Sequence, residues 1–308
     1  MTGFVPFLVL LAMGVGWGLT LPLAKIAVST GHEPYGLIFW QLVVVVMVLG
    51  PFSLLRPSRP RIKLDRRHVA LFVTVALTGA ILPDVFFYMG AAELPGGVLS
   101  IAAATAPMFA LPIARRFGIV TFSWVRFGGL ALGWGGILLM VGPEASLPDP
   151  GMAFFVLLVL LAPALYATEG NIVAKFGTFG LDPMQTIVGA STLGMVFALP
   201  LAFLTGQWVD PFANFGAAEI ALIIAAALHA VVYATYVWLV GQAGSVFASQ
   251  AAYIVTATGV ISSMIMLNES YSMFIWLALA VMMLGIFLVQ PRPGRAMAAI
   301  VETEDRHA

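Results

Sequence analysis

Long uninterrupted apolar stretches occupy most of this chain, and they constrain its fold more than any other feature of the sequence. A helix needs about 20 apolar residues to cross the hydrocarbon core of a bilayer, and ten stretches come close to or exceed that length. Because the stretches do not alternate in polarity, and because a helix satisfies its own backbone in lipid, we expect helices and not strands. The ten expected spans are residues 4–28, 35–54, 69–90, 97–114, 122–141, 152–172, 184–204, 217–240, 246–267 and 273–290.

Composition agrees with a membrane protein and argues against several other classes. Hydrophobic residues make up 61% of the 308 residues and charged residues only 9%, whereas soluble domains carry about 25% charged residues. The net charge is zero, so no basic surface indicates nucleic acid as a partner. Cysteine is absent and the four histidines are scattered, without metal-ligand spacing. We therefore expect no cofactor, no resident metal and no nucleic-acid partner, and we expect membrane lipid around the chain.

Lysine and arginine are divided unequally between the two faces that ten spans define. Both termini then lie on one face, which holds 13 of the 14 basic residues, and the other face holds only Lys25. Cytoplasmic loops carry the excess of Lys and Arg, so we expect cytoplasmic termini and a multi-pass protein of the inner membrane. The first stretch has no basic segment before it, which favours a membrane helix over a cleaved signal. The 13 residues are Arg56, Arg59, Arg61, Lys63, Arg66, Arg67, Arg115, Arg116, Arg126, Lys175, Arg292, Arg295 and Arg306.

The two halves of the chain resemble each other at an offset of 149 residues. Residues 31–34 (GHEP) align with residues 180–183 (GLDP), and the expected spans coincide along the whole length. Five helices is an odd number, so the second copy crosses the membrane in the opposite direction. We therefore predict inverted repeats over residues 1–145 and 146–291, followed by a short polar tail at 292–308. Such repeats recur in secondary transporters, although duplication by itself can also build a stable bundle.

Polar and aromatic side chains inside the expected spans are costly in lipid unless they face a cavity or a partner. Helical spacing joins Asp84 and Tyr88 in one stripe of the third span, and the equivalent stripe of the eighth holds His229, Tyr233 and Tyr236. We predict that these stripes, with their equivalents on other spans, line one central cavity that binds a solute. The predicted contact residues are Trp17, Asp84, Tyr88, Tyr166, Glu169, His229, Tyr233, Tyr236, Gln250 and Tyr253.

Several of these residues have a second interpretation. Tryptophan and tyrosine also anchor helices at the membrane surface, and His229 is equally compatible with simple packing. Lys25 and Lys175 lie near helix ends, where extension towards the interface is the favoured interpretation. Four prolines inside the spans should kink or loosen them and are candidate hinges. These prolines are Pro22, Pro83, Pro107 and Pro163.

Aromatic faces combined with a carboxylate suit an amine, an amino acid or an organic cation. They suit a phosphorylated solute poorly, because phosphate recognition needs Arg or Lys in the cavity. The sequence therefore favours a secondary transporter that moves small metabolites by alternating access. A passive channel or facilitator is the first alternative. A membrane-embedded enzyme is less favoured, because no nucleophile or metalloprotease motif occurs, and no nucleotide-binding loop indicates ATP use.

The chain resembles the drug/metabolite transporter superfamily, in its branch of ten-helix bacterial exporters. The features that carry the resemblance are the duplicated five-helix unit, the Trp17-Gly18 pair, the acid-Pro steps before spans two and seven, Pro107, the Asn268-Glu269 pair and the glycine-rich fifth span. The resemblance extends to about residue 290 and implies two inverted repeats, for which a monomer suffices, with the oligomeric state left open. In one departure, this chain has Arg115-Arg116 where the family often ends its fourth helix with an acid.

Overall fold

A computed structural model describes residues 4–55, 64–143, 146–213, 215–243 and 245–289. Within these ranges the chain forms helices and no strand, which confirms the all-helical prediction. The polar tail at 292–308 and most of the expected 55–68 loop lie outside the described residues, and so do Arg56, Arg59, Arg61, Lys63, Arg292, Arg295 and Arg306.

Ten apolar helices follow the ten expected spans. Eight of them are long and apolar enough to cross a membrane, and the last two are shorter, with 17 residues each. The third helix begins three residues earlier than expected and includes one π-helical turn. The helices are α1 Phe4–Val28, α2 Pro34–Leu55, α3 Arg66–Glu93, α4 Gly96–Arg116, α5 Trp124–Val141, α6 Met152–Phe176, α7 Pro183–Leu204, α8 Ala217–Ala243, α9 Ala251–Leu267 and α10 Met273–Val289.

The short motif that the two proposed repeats share, residues 31–34 and 180–183, has a local structural cause. Asp182 caps α7: its carboxylate accepts a hydrogen bond from the backbone N–H of Gln185 (2.9 Å), and the Gln185 side chain accepts one from the Asp182 N–H (3.0 Å). Pro183 then occupies the first helical position, where its missing N–H does no harm. Gly31 and Gly180 both have left-handed backbones, with φ of +83° and +87°, a conformation that favours glycine.

Helices from the first half of the chain pack mainly against helices from the second half. Helix α1 lies against α8 and α9, while α6 lies against α3 and α4. Helix α2 packs on α7 and α8, α3 also packs on α7, and α4 packs on α9. Helices α5 and α10 pack on each other through glycines: a Cβ added at Gly285 would lie 2.8 Å from the Gly129 carbonyl oxygen and the Gly133 nitrogen. Small residues thus allow these two helices to pack closely.

The helix ends define two faces of the bundle. The N-terminal face contains the start of α1 with residues 64–65 and 177–182, and the far face contains residues 29–33, 94–95 and 268–272. Near the far face, α1 also packs against the adjacent ends of α3 and α4. In the part of the chain that the structure describes, the equivalent contacts of α6 with α8 and α9 are sparse. Space is therefore left between α6 and the α8–α9 pair.

Candidate functional site

A cavity of about 640 Å³ lies in the middle of the bundle. Its wall is formed by α1–α4, α6–α9 and the turn before α9, and none of its lining residues comes from α5 or α10. Its lining on α8 runs from Ala225 to Tyr236, towards the end of that helix, and its lining near α9 begins at Ala248. The cavity therefore extends from the middle of the bundle towards the N-terminal face. Its volume is within the usual range for a small-molecule site.

Eight of the ten predicted contact residues line this cavity, and Gln250 and Tyr253 do not. Helix α9 begins at Ala251, after a turn at Ser249–Gln250, so its helical phase differs from that of one continuous helix over 246–267. Tyr253 instead packs against the main hydrophobic core, and its buried hydroxyl has no hydrogen-bond partner among the described residues. The eight lining residues are Trp17, Asp84, Tyr88, Tyr166, Glu169, His229, Tyr233 and Tyr236.

Asp84 is held in a hydrogen-bonded network of uncharged side chains. The Tyr166 hydroxyl donates to Asp84 Oδ1 (2.7 Å), and the Gln41 amide donates to Asp84 Oδ2 (2.7 Å). The Tyr88 hydroxyl in turn donates to the Gln41 carbonyl oxygen (2.5 Å). Our sequence reasoning missed Gln41, although a glutamine inside an apolar run of α2 is itself a signal of a polar partner. Both carboxylate oxygens of Asp84 thus receive a donor from the protein.

Glu169 lines the same cavity but is placed differently. Among the described residues its carboxylate has neither a hydrogen bond nor an ion pair, and no Lys or Arg lines the cavity. Gly79 of α3 leaves room for it, because a Cβ at Gly79 would lie 3.3 Å from the Glu169 carboxyl carbon. Glu169 also lies close enough to Tyr233 for the two groups to interact electrostatically. Of the two cavity carboxylates, Glu169 is thus the one without a donor from the described part of the chain.

An aromatic cluster from α1 and α8 forms another part of the wall. The Trp17 ring meets the His229 ring edge-on, with 5.6 Å between centroids, and lies 6.4 Å from the Tyr236 ring. Tyr233 and Tyr236 lie 6.5 Å apart. These rings provide flat apolar surfaces and a negative π-face to a cation. Trp17 thus meets His229 and Tyr236 of the eighth span in one part of the cavity wall.

Three helices are interrupted where they meet the cavity. Helix α3 has a π-helical turn at Leu77–Ile81, α4 has a non-helical turn at Ala104–Thr105, and α6 is interrupted at Leu160. A proline follows each interruption within three residues, whereas α1 runs unbroken through Pro22. The prolines that follow are Pro83, Pro107 and Pro163. Broken helices beside a central cavity are typical of transporter binding sites.

Polar contacts join the two halves at the far face. The Glu269 carboxylate accepts hydrogen bonds from the Gly96 N–H (2.8 Å) and the Gly97 N–H (3.3 Å) at the start of α4, and from the Tyr271 hydroxyl (2.5 Å). An anion at a helix N-terminus is favourable because of the helix dipole. Burial, followed by the hydrogen bond to Glu269, raises the pKa of Tyr271, so this hydroxyl stays protonated and donates.

Lys25 makes a second connection at the far face. Its ammonium group is half-buried and donates to the carbonyl oxygen of Ala91 in the last turn of α3 (3.0 Å). A cation at a helix C-terminus is again favourable. Lys25 therefore links α1 to α3, whereas its position near a helix end had suggested extension towards the interface.

A bundle of apolar helices around a polar and aromatic cavity, with helices broken at the cavity wall, defines a membrane transporter. The chain belongs to the EamA-like transporter family, whose model matches residues 5–142 and again residues 153–290. This match confirms the resemblance to the drug/metabolite transporter superfamily.

Relatives agree with this class, and a solved structure shares the fold. The chain is 23% identical over 291 residues to the uncharacterized inner membrane transporter YedA of Escherichia coli (strain K12), a match that covers 91% of this chain and 89% of the relative. The YedA of Escherichia coli O157:H7 matches equally well. A solved structure described only as a crystal structure of protein has a TM-score of 0.61 at 14% identity, over 92% of this chain and 96% of that one. The expected location, a multi-pass protein of the inner membrane, is confirmed.

Proposed function

We propose that this chain is a secondary transporter that exports small amines, amino acids or related organic cations by alternating access. The observation that carries the proposal is the cavity in which Asp84 and Glu169 face aromatic side chains and no basic side chain other than His229. A cation entering this cavity meets carboxylate and π-face acceptors. An anionic solute would meet two carboxylates and no Lys or Arg.

Two inverted repeats, residues 1–145 and 146–291, are part of this proposal. The family model matches the chain twice, and the packing supports the same division: contacts of α1 with α8 and α9 correspond to those of α6 with α3 and α4. The shared left-handed backbone of Gly31 and Gly180 adds local support. Similar halves around one site can rock between two arrangements, which is the geometric basis of alternating access.

The side to which the cavity extends is the observation that supports export. We place the termini and the N-terminal face in the cytoplasm because of the excess of Lys and Arg at that face. The cavity extends towards this face and is separated from the far face by the Glu269 and Lys25 contacts. A solute would then be taken up from the cytoplasm, which favours export.

The decisive test of transport uses proteoliposomes that contain the pure protein and a panel of radiolabelled amines, amino acids and organic cations. We expect saturable flux with competition between analogues, whereas flux that stays proportional to concentration would indicate a channel. Glu169→Gln should lose this flux. Glu93→Gln is the matched control, because Glu93 is exposed at the end of α3, outside the cavity. Equal flux in both variants would contradict the proposed site.

Topology can be tested separately because the chain has no cysteine. Single cysteines in the 55–68 loop and in the 292–308 tail should react with an impermeant maleimide from the same side of the membrane. Labelling from opposite sides would refute ten spans and the inverted repeats together.

A further inference from the structure

Among the three solute classes that the proposed function includes, we infer that the cavity selects a small primary amine without a carboxylate, bound through its ammonium group to Glu169. This inference rests on the proposed function and narrows it. It follows from how many hydrogen-bond acceptors the cavity leaves open, and from the lack of donors that would pair with an anion.

The two carboxylates of the cavity have different tasks. Asp84 already accepts one hydrogen bond on each oxygen, from Tyr166 and from Gln41, at 2.7 Å in both cases. Glu169 has no such donor among the described residues, although a carboxylate within a membrane protein requires a partner. A cationic solute would provide it. Asp84 therefore positions the wall around the site, and Glu169 receives the ammonium group.

Backbone carbonyls provide further acceptors because of the three prolines. Proline has no N–H, so the carbonyl four residues earlier loses its α-helical donor. For Pro107 and Pro163 these carbonyls belong to Ala103 and Val159, and for Pro83, which follows the π-helical turn, the residue four positions earlier is Gly79; all three residues line the cavity.

Prolines elsewhere in the helices do not share this placement. The residue four positions before Pro22 is Gly18, where an added Cβ would lie 2.6 Å from Thr258 Cβ, so this carbonyl belongs to the contact with α9. The residue four positions before Pro200 is Val196, which is 60% exposed on the outer surface of α7. The freed carbonyls at the cavity therefore arise from three prolines on three different helices and not from prolines in general.

An ammonium group with three N–H donors matches this arrangement. It can bind the Glu169 carboxylate and carbonyl oxygens at the same time, whereas a quaternary ammonium has no N–H and leaves these acceptors unsatisfied. An amino acid carries the same ammonium but adds a carboxylate, for which the cavity wall holds no Lys or Arg. Trp17, Tyr233 and Tyr236 would receive the apolar part of the amine.

The test compares matched probes by calorimetric binding to the full purified chain in detergent. The probes are 2-phenylethylamine, its N-methylated derivatives up to the trimethylammonium, and phenylalanine, which differs from the first by a carboxylate. We expect 2-phenylethylamine to bind best. The trimethyl derivative and phenylalanine should each bind at least about tenfold more weakly, the change expected for one lost charge-assisted hydrogen bond.

The outcomes separate this inference from the function on which it rests. If wild type binds neither amine nor amino acid nor quaternary cation, the proposed function fails as well. If it binds all three probes equally, transport of cations stands and selection of a primary amine is refuted. Tighter binding of phenylalanine than of 2-phenylethylamine would also overturn the inference.

Variants then test the two kinds of acceptor. Glu169→Gln should weaken the binding of every cationic probe. Pro107→Ala returns a backbone N–H donor to the Ala103 carbonyl. Pro107→Ala should therefore reduce the preference for the primary over the quaternary amine several-fold and leave binding of the quaternary amine unchanged. Pro200→Ala is the matched control and should keep the wild-type preference. If Pro107→Ala does not fold, the N-methylation series on the wild type still decides the question.

Discussion

Removing the Glu269 side chain should open the far face of the cavity. Glu269 joins the α9–α10 connection to the start of α4, residues that are 173 positions apart in sequence. Glu269→Ala removes the carboxylate that the Gly96 and Gly97 N–H groups and the Tyr271 hydroxyl share. We expect the arrangement that is closed at the far face to lose stability relative to one that is open there.

The magnitude follows from the bonds that would be lost. A hydrogen bond to a charged group contributes about 1.5–3 kcal/mol. The 2.8 Å bond from Gly96 is of ordinary length, while the 3.3 Å bond from Gly97 is weaker. The favourable position of the carboxylate at a helix N-terminus adds about 0.3–1 kcal/mol. A loss of about 2–3 kcal/mol shifts the equilibrium roughly 30- to 150-fold towards an open far face.

A cysteine reporter can measure this shift because the natural chain contains no cysteine. Ala24 lines the cavity on α1 and is only 6% exposed. In an Ala24→Cys background, an impermeant maleimide applied to the far face should react slowly with the parent protein. It should react at least about 30-fold faster when Glu269→Ala is added, if the rate follows the population of the open state.

The matched control is Asp210→Asn, an acid at the same face whose side chain accepts a hydrogen bond from the backbone N–H of nearby Phe212 (2.9 Å) and, within the described part of the chain, makes no contact with α4. This variant should leave the labelling rate unchanged. An unchanged rate in Glu269→Ala as well would refute the reasoning, because the carboxylate would then contribute nothing to closure of the far face.

Three further predictions concern stability and coupling. Asp65→Ala should lower the midpoint of thermal unfolding, because the Asp65 carboxylate accepts a hydrogen bond from the His68 backbone N–H, which lowers the pKa of this carboxyl. The difference in midpoint from wild type should be complete above the ordinary pKa of 3.8 and should disappear as the pH falls through the lowered pKa. Gly285→Ala should destabilise the α5–α10 contact by about 1–3 kcal/mol in thermal unfolding, whereas Gly135→Ala, with nothing within 4 Å of the added Cβ, should not. Asp84→Asn should change the pH profile of uptake because an amide cannot ionise, and identical profiles would show that ionisation of Asp84 has no part in uptake.

Much of the fold could be predicted because the bilayer limits the possible structures. Apolar length predicted each helix to within a few residues, apart from α9, and helical spacing predicted which polar side chains share a face. The 149-residue offset matched the stripe that contains Asp84 to the stripe that contains His229, and it matched Trp17 to Tyr166; all four residues line the cavity. The prediction for α9 was less accurate, since the turn at Ser249–Gln250 changes which residues face inward.

The sequence by itself determined the number of apolar segments, their lengths and the side chains that each presents on one face. Only the tertiary structure decided that Gln41 and Tyr166 occupy both oxygens of Asp84 while Glu169 is left open. It also decided that the cavity extends towards the N-terminal face. If the two halves alternate as we propose, either face can close, and we expect the choice to depend on contacts such as that of Glu269 with Gly96. These contacts join residues far apart in the chain, so no local pattern specifies them.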